Sequence, residues 1–241
     1  DYYYKLYKAS EVRKFTKICL IQYGYTFEID ATSFVAHNFD FSKNVAIHFS
    51  SNDKTKKILK ELYGKKNTYP RLESLGYPLF DLSMRHKDVS ESLSVENCVL
   101  WTPRWTDSGQ KFNKQSHFLS YYKQFLSFAE KHVDIHLIIR PHPLMFGNFL
   151  RKGVMTQDEI DAFKAKCAAL RNVELDENAD YIPSVDKAAV IVSDFSALLA
   201  EYFVMQKPVI YCDGARGFSK EALIMDSALY HASKWEEIES Q

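Results

Sequence analysis

The stretch Ala188–Phe203, AAVIVSDFSALLAEYF, decides the fold. Its first half is an apolar, β-branched run of strand length. After Ser193-Asp194-Phe195-Ser196 the spacing changes to Leu198, Leu199, Tyr202 and Phe203, the repeat of a helix that turns one face to a core. Lys207-Pro208 then opens a second β-rich run, Val209-Ile210-Tyr211-Cys212. Strand, helix, strand in this order is a βαβ crossover between parallel strands.

Outward from this unit the pattern repeats. KICLIQYG (17–24), NVAIHFS (44–50), NCVLWTP (97–103) and IHLIIRP (135–141) read as buried strands. Between them, Phe118, Tyr122, Phe125 and Ala129 recur at helical spacing, as do Ile160, Phe163, Cys167 and Leu170 behind a Thr156-x-x-Glu159 capping box. The class is α/β, a doubly wound sheet with helices on both faces. Gly64, Pro70, Gly76 and Pro78 interrupt the pattern, and a polar run, RHKDVSESLSVEN (85–97), follows. Residues 1–75 are therefore expected to be the remainder of an amino-terminal α/β domain, with two strands and a helix around 52–63. Residues 76–241 are expected to form a Rossmann-like domain with four strands. The abrupt opening at Asp1, and WEEIESQ (235–241) stopping in a first helical turn, fit a fragment.

Composition narrows the function classes. The 241 residues balance 31 basic against 31 acidic side chains, so no global field draws the chain to nucleic acid. Cys19, Cys98, Cys167 and Cys212 lie far apart, read as small core residues, and suit a reducing cytoplasm. No apolar run is long enough to span a membrane. The lysines of KTKKILKELYGKK (54–66) read as a solvated helix face, with peripheral attachment to a membrane as the other option.

Three strand ends carry polar chemistry. Arg140-Pro141-His142-Pro143 sets a guanidinium and an imidazole on a proline-stiffened elbow at the carboxyl end of a strand, where open α/β sheets bind ligands. The alternative is that Arg140 pairs with a neighbouring carboxylate and His142 caps a helix. Ser193-Asp194-Phe195-Ser196 leads into a helix, so the amides of Ser196 and Ala197 and the Ser196 hydroxyl could hold an anion. The alternative there is an ordinary cap by Asp194 or Ser196. Thr102-Pro103-Arg104-Trp105 adds a hydroxyl, a guanidinium and an aromatic ring at a third end. No D-x-D pair stands at a strand end to hold a metal, so neither a metal nor another cofactor is assigned.

Gly76-Tyr77-Pro78-Leu79-Phe80-Asp81, Thr102 with Trp105, Arg140–Pro143, Ser193–Ser196, Glu201 and Lys207–Tyr211 follow one another in an order that resembles the carboxyl-terminal domain of CDP-glycerol glycerophosphotransferases. These enzymes build teichoic-acid-type polymers, and the resemblance covers about residues 75–213. It implies a GT-B architecture, two Rossmann-like domains facing a cleft. It also implies that His142 contacts the donor phosphates and, with Tyr23, is a candidate catalytic residue, and that Ser193, Asp194, Ser196 and Ala197 hold the CDP-activated donor. Arg140, Thr102 and Arg104 would line the cleft, and Glu201 would face the ribose or remain structural. Phe195 and Ala197 stand where the family has tyrosine and a second serine. Tyr23 stands where the family has the histidine of W-H-G-T, its proposed general base, and a tyrosine of ordinary pKa is a poor base at neutral pH. His37 and His48 lie near it in sequence and read as structural.

The activity this implies moves a polyol phosphate from a CDP-polyol to the hydroxyl of a polymer or lipid-linked acceptor, at the inner face of the plasma membrane. A GT-B glycosyltransferase using a nucleotide sugar and a non-catalytic nucleotide-binding module are the two competing readings.

Overall fold

A computed structural model of the chain describes residues 7–21, 24–25, 39–106, 116–214, 218 and 220–241. The chain divides into two compact units, Asp1–Asp81 and Leu82–Gln241, against an expected break after residue 75.

In the first unit α1 (Ala9–Val12) precedes β1 (Cys19–Ile21), α2 (Phe39–Ser42) precedes β2 (Ile47–Ser50), and α3 (Asp53–Lys65) leads to β3 (Arg71–Ser74). The three strands are parallel in the order β1-β2-β3. β3 was not expected, because RLES is a polar edge segment without an apolar run. α3 begins at Asn52, whose side chain accepts the Thr55 amide at 2.8 Å. It turns Thr55, Leu59 and Tyr63 inward and leaves Lys54, Lys57, Lys60, Lys65 and Lys66 exposed. His48 is buried on β2, its Nδ1 2.9 Å from the Tyr63 hydroxyl. Burial pushes its pKa down to about 4, so it is a neutral core residue at pH 7. Gly76 turns the chain at φ 86°, a left-handed conformation that disfavours other residues, and Pro78 opens α4 (Pro78–Leu93).

The second unit contains β4 (Cys98–Thr102), α5 (Phe118–Lys131), β5 (His136–Ile139), α6 (Met145–Lys152), α7 (Gln157–Ala169), β6 (Val173–Leu175) and α8 (Ile182–Lys187). It continues with β7 (Val190–Ser193), α9 (Leu198–Val204), β8 (Val209–Cys212), α10 (Leu223–Asp226), β9 (Tyr230–Ala232) and α11 (Trp235–Ser240). All six strands are parallel, in the order β6-β5-β4-β7-β8-β9. β6 and β9, each three residues at an edge, were not expected. The inner strands are apolar on both faces because helices cover both.

Trp101 of β4 is fully buried and stacks on Phe118 at 5.5 Å and on Phe125 at 4.1 Å. Phe163 of α7 meets Phe118 edge-on at 5.1 Å, so two helices close on one aromatic centre. Each such pair contributes about 1 kcal/mol beyond its buried area. The capping box at α7 is complete: Glu159 N–H donates to Thr156 Oγ1 at 3.2 Å and Thr156 N–H to Glu159 Oε2 at 2.8 Å. Two expectations are corrected. Phe203 is exposed, because α9 buries Leu199, Ala200, Glu201 and Tyr202 instead. Cys19 is exposed on β1, whereas Cys98, Cys167 and Cys212 are buried core thiols.

Candidate functional site

β4, β5 and β7 are adjacent, so their carboxyl ends bring Thr102, Arg140 and Ser193 to one edge of the sheet. The β4–β7 register sets Thr102 opposite Ser193, and Thr102 Oγ1 donates to Ser193 Oγ at 2.9 Å. Ser193 Oγ donates onward to the Asp194 carbonyl at 2.9 Å. Both hydroxyls are buried and joined to each other, which makes them the floor of the site.

Asp194 is wholly buried. Its Oδ2 accepts the Arg104 amide at 2.8 Å and the His117 amide at 3.1 Å, and its Oδ1 lies 2.7 Å from His117 Nδ1. An isolated buried carboxylate is costly, and three N–H groups from two other segments offset that cost. Asp194 thereby ties the ends of β4 and α5 to β7. His117, which the sequence reading missed, stacks on Tyr121 at 5.4 Å. Its only sequence signal was a position just before α5, since its partner lies 77 residues away.

His117, Asp194 and Cys212 also bring nitrogen, oxygen and sulfur ligand atoms within 4.8 Å of one another, a group of donors of the type that binds zinc. Both Asp194 oxygens already accept N–H groups, and burial together with Asp194 and Asp213 pushes the Cys212 thiol well up. The Cys212 thiol is therefore held protonated, and the Asp194 oxygens are already taken by hydrogen bonds.

Arg104 reaches the site from the β4 end. Its guanidinium donates to the Phe195 carbonyl at 2.7 Å and lies 5.9 Å over the Phe195 ring. The aromatic ring that replaces the family's tyrosine hydroxyl thus supports a cation.

The β5 elbow separates its two polar residues. The Arg140 amide extends the strand by donating to the Trp101 carbonyl at 2.8 Å. Its guanidinium pairs with the buried Asp176 and donates to the Asn178 carbonyl at 2.6 Å. Burial raises the Asp176 pKa, but hydrogen bonds from Ser184, the Asn178 amide and Arg140 outweigh it and hold the carboxyl below its usual range. Arg140 therefore clamps the loop after β6 onto β5, the pairing with a neighbouring carboxylate left open in the sequence.

His142 faces the other way. Its Nδ1 accepts the Leu144 amide at 3.1 Å, so in the neutral ring the proton sits on Nε2. Burial, and then the nearby Arg104 cation, lower its pKa, which keeps the ring neutral at pH 7. The ring leans on Trp105 at 5.9 Å, and the Trp105 carbonyl is pinned by Asn148 of α6 at 3.0 Å. The result is an oriented N–H donor in the field of the Arg104 cation.

Ser196 Oγ accepts the Leu198 amide at 3.2 Å and caps the start of α9. The amides of Ser196 and Ala197 bond no protein group among the described residues. Glu201 is buried against the Tyr181 hydroxyl, and burial raises its pKa. Lys207 is directed inward and caps α8 through the Asp186 and Ala188 carbonyls at 3.0 and 2.8 Å. Tyr23 and His37 lie outside the described residues.

The UDP-GlcNAc 2-epimerase of Methanocaldococcus jannaschii matches at a TM-score of 0.55 and 12% identity, covering 95% of this chain and 62% of that one. The UDP-GlcNAc 2-epimerase of Neisseria meningitidis matches at 0.51 and 16%, covering 86% and 55%. The wall teichoic acid polymerase TagF is also found, at 0.47 and 12%, covering 81% and 49%. This chain therefore spans less than two thirds of each of these proteins, and at these identities the likeness establishes the fold, GT-B with parallel sheets. No curated protein matches by sequence. The family model described as CDP-Glycerol:Poly(glycerophosphate) glycerophosphotransferase matches residues 28–214, most of the chain including all three strand ends, and the chain belongs to that family.

Proposed function

We propose that this protein transfers a polyol phosphate from a CDP-activated donor to a hydroxyl of a polymer or lipid-linked acceptor, releasing CMP. Family membership supports the reaction class. The observation that carries the site is His142, whose Nδ1 is held by the Leu144 amide so that Nε2–H faces away from that bond, in a ring that feels the Arg104 cation.

In the reaction the acceptor oxygen forms a bond to the β-phosphorus. The bond from that phosphorus to the oxygen bridging to CMP breaks, and CMP leaves with the electron pair. Phosphoryl transfer of this kind depends on positioning and charge neutralisation. His142 donates a hydrogen bond to a diphosphate oxygen, Arg104 supplies positive charge, and the Ser196 and Ala197 amides add neutral donors. A ring with Nδ1 already accepting and its pKa lowered acts as a donor to the leaving phosphate, not as the acceptor's base. Tyr23 is the candidate for that base by family position. Asp194, Thr102, Ser193 and Arg140 hold the elbows in place. The acceptor is met at the cytoplasmic face of the membrane, and no helix among the described residues is long and apolar enough to cross one.

Mass spectrometry of products after incubation with CDP-glycerol, CDP-ribitol and UDP-linked sugars tests the reading. CMP and an extended acceptor are expected from a CDP-polyol. Consumption of a nucleotide sugar alone would move the protein to the glycosyltransferases. Nucleotide binding by calorimetry with no product would leave a binding module.

A further inference from the structure

The first unit holds a cavity of about 320 Å³ that the transfer chemistry leaves unused. It sits at the amino ends of the strands: Ile18 precedes β1, Ala46 precedes β2, and Tyr69 and Pro70 precede β3. Open parallel sheets bind their ligands at the opposite, carboxyl edge, so this is not the crevice that the fold provides by default. The turn after α1 forms one wall and the segment between α2 and β2 another.

Arg13, Lys17 and Lys43 line it, and among the described residues no carboxylate does. Arg13 is held in place: its guanidinium donates to Asn44 Oδ1 at 3.0 Å, and buried Asn44 donates to the Asp40 carbonyl at 2.7 Å. Lys43 pairs with Asp40 at 2.6 Å, but that carboxylate is 94% exposed, so the pair is weak and leaves the lysine available. Lys17 has no ion pair among the described residues, while Thr16 and Thr68 add hydroxyls to the wall. The neutrality of the whole chain also conceals a division. Asp1–Asp81 carries 13 lysines and arginines against nine aspartates and glutamates, whereas Leu82–Gln241 carries 18 against 22. The cavity lies in the unit of positive charge.

We propose that this cavity binds a phosphate group carried on a small polyol. Three cations, of which among the described residues only Lys43 has a carboxylate partner, and that an exposed one, select an anion, and hydroxyl and amide groups suit a polyol. A volume at the small end of the usual range of about 300–1,000 Å³ admits a phosphate with a few carbons but not a nucleotide-linked donor. The same chemistry is offered by a soluble glycerol phosphate and by the headgroup of phosphatidylglycerol. The proposal does not depend on the transfer reaction.

Calorimetry with glycerol 3-phosphate, and flotation with phosphatidylglycerol-containing vesicles against pure phosphatidylcholine, test it on the whole chain at low salt. Binding of the soluble probe alone identifies a free polyol phosphate, and binding of the anionic vesicles alone identifies a lipid headgroup. Either supports the cavity if R13Q/K17Q weakens binding about tenfold while K57Q/K60Q, which removes the same charge from the exposed face of α3, changes it less than twofold. Lys17→Gln alone, which breaks no hydrogen bond, is expected to weaken binding at least threefold and keeps the test valid if the Arg13 variant does not fold. Failure of both probes to bind would overturn the proposal. So would equal weakening by the two double variants, or loss of glycerol 3-phosphate binding in His142→Gln, which would place that probe in the second unit.

Discussion

The elbows that end β5 and β7 are built alike and divide their residues alike, with opposite charge. In Arg140-Pro141-His142-Pro143 the first polar residue turns inward onto Asp176, and the residue two positions later presents an N–H away from its internal bond. In Ser193-Asp194-Phe195-Ser196 the buried residue is an acid whose carboxyl group is held by two amides and a ring nitrogen, and the residue two positions later caps the next helix. The difference lies in how the buried charge is satisfied. Arg140 meets one carboxylate, whereas Asp194 is met by two amides and a ring nitrogen and depends on several partners at once. A recognisable motif at a strand end therefore contains both framework and contact residues, and its conspicuous charges belong to the framework.

The largest expected effect tests the inward half of the β5 elbow. Arg140→Met leaves Asp176 buried without its cation and should destabilise the protein by about 3–5 kcal/mol in urea unfolding. A loss under about 1 kcal/mol would show Arg140 to be available for ligand. Next is Asp194→Ala, which strips two amides and the His117 ring of their acceptor. Its cost should be about 2–3 kcal/mol, with Asp194→Asn recovering part of it. The outward half should behave in the opposite sense: His142→Ala should leave stability within about 1 kcal/mol and lower CMP release from CDP-glycerol at least about 100-fold.

Burial and Arg104 hold folded His142 below its unfolded value of 6.5, so between the two values the unfolded chain binds a proton that the folded chain does not. Stability must then rise with pH across that window and fall as pH drops below 6.5. Part of this slope should vanish in His142→Gln, measured by urea midpoints from pH 7.5 to 5. The smallest effect belongs to Ser196→Ala, which removes a cap worth about 1 kcal/mol and should raise the donor KM a few-fold with little change in kcat.

Several of these features were legible beforehand. The βαβ unit at Ala188–Cys212, the alternation around it and the capping box at Thr156 are local patterns, and they appear where the residues place them. The edge strands β3, β6 and β9 were not legible, because an edge strand is fixed by the neighbour it pairs with and RLES, VEL and YHA carry no apolar run. His117 was missed for a related reason: it is given its place by a carboxylate that meets it only after the sheet has formed.

The sequence by itself determined the fold class, the succession of the main strands along the chain and which strand ends carry polar groups, because periodicity and turn chemistry are short-range. Only the tertiary structure decided which of those groups are internal. Arg140 finds Asp176 across the β5–β6 pairing, Thr102 finds Ser193 through the β4–β7 register, and Asp194 gathers amides from two other segments. A buried charge must be satisfied by whatever the neighbouring strand places within reach, and that partner is set by register and packing between segments far apart in sequence.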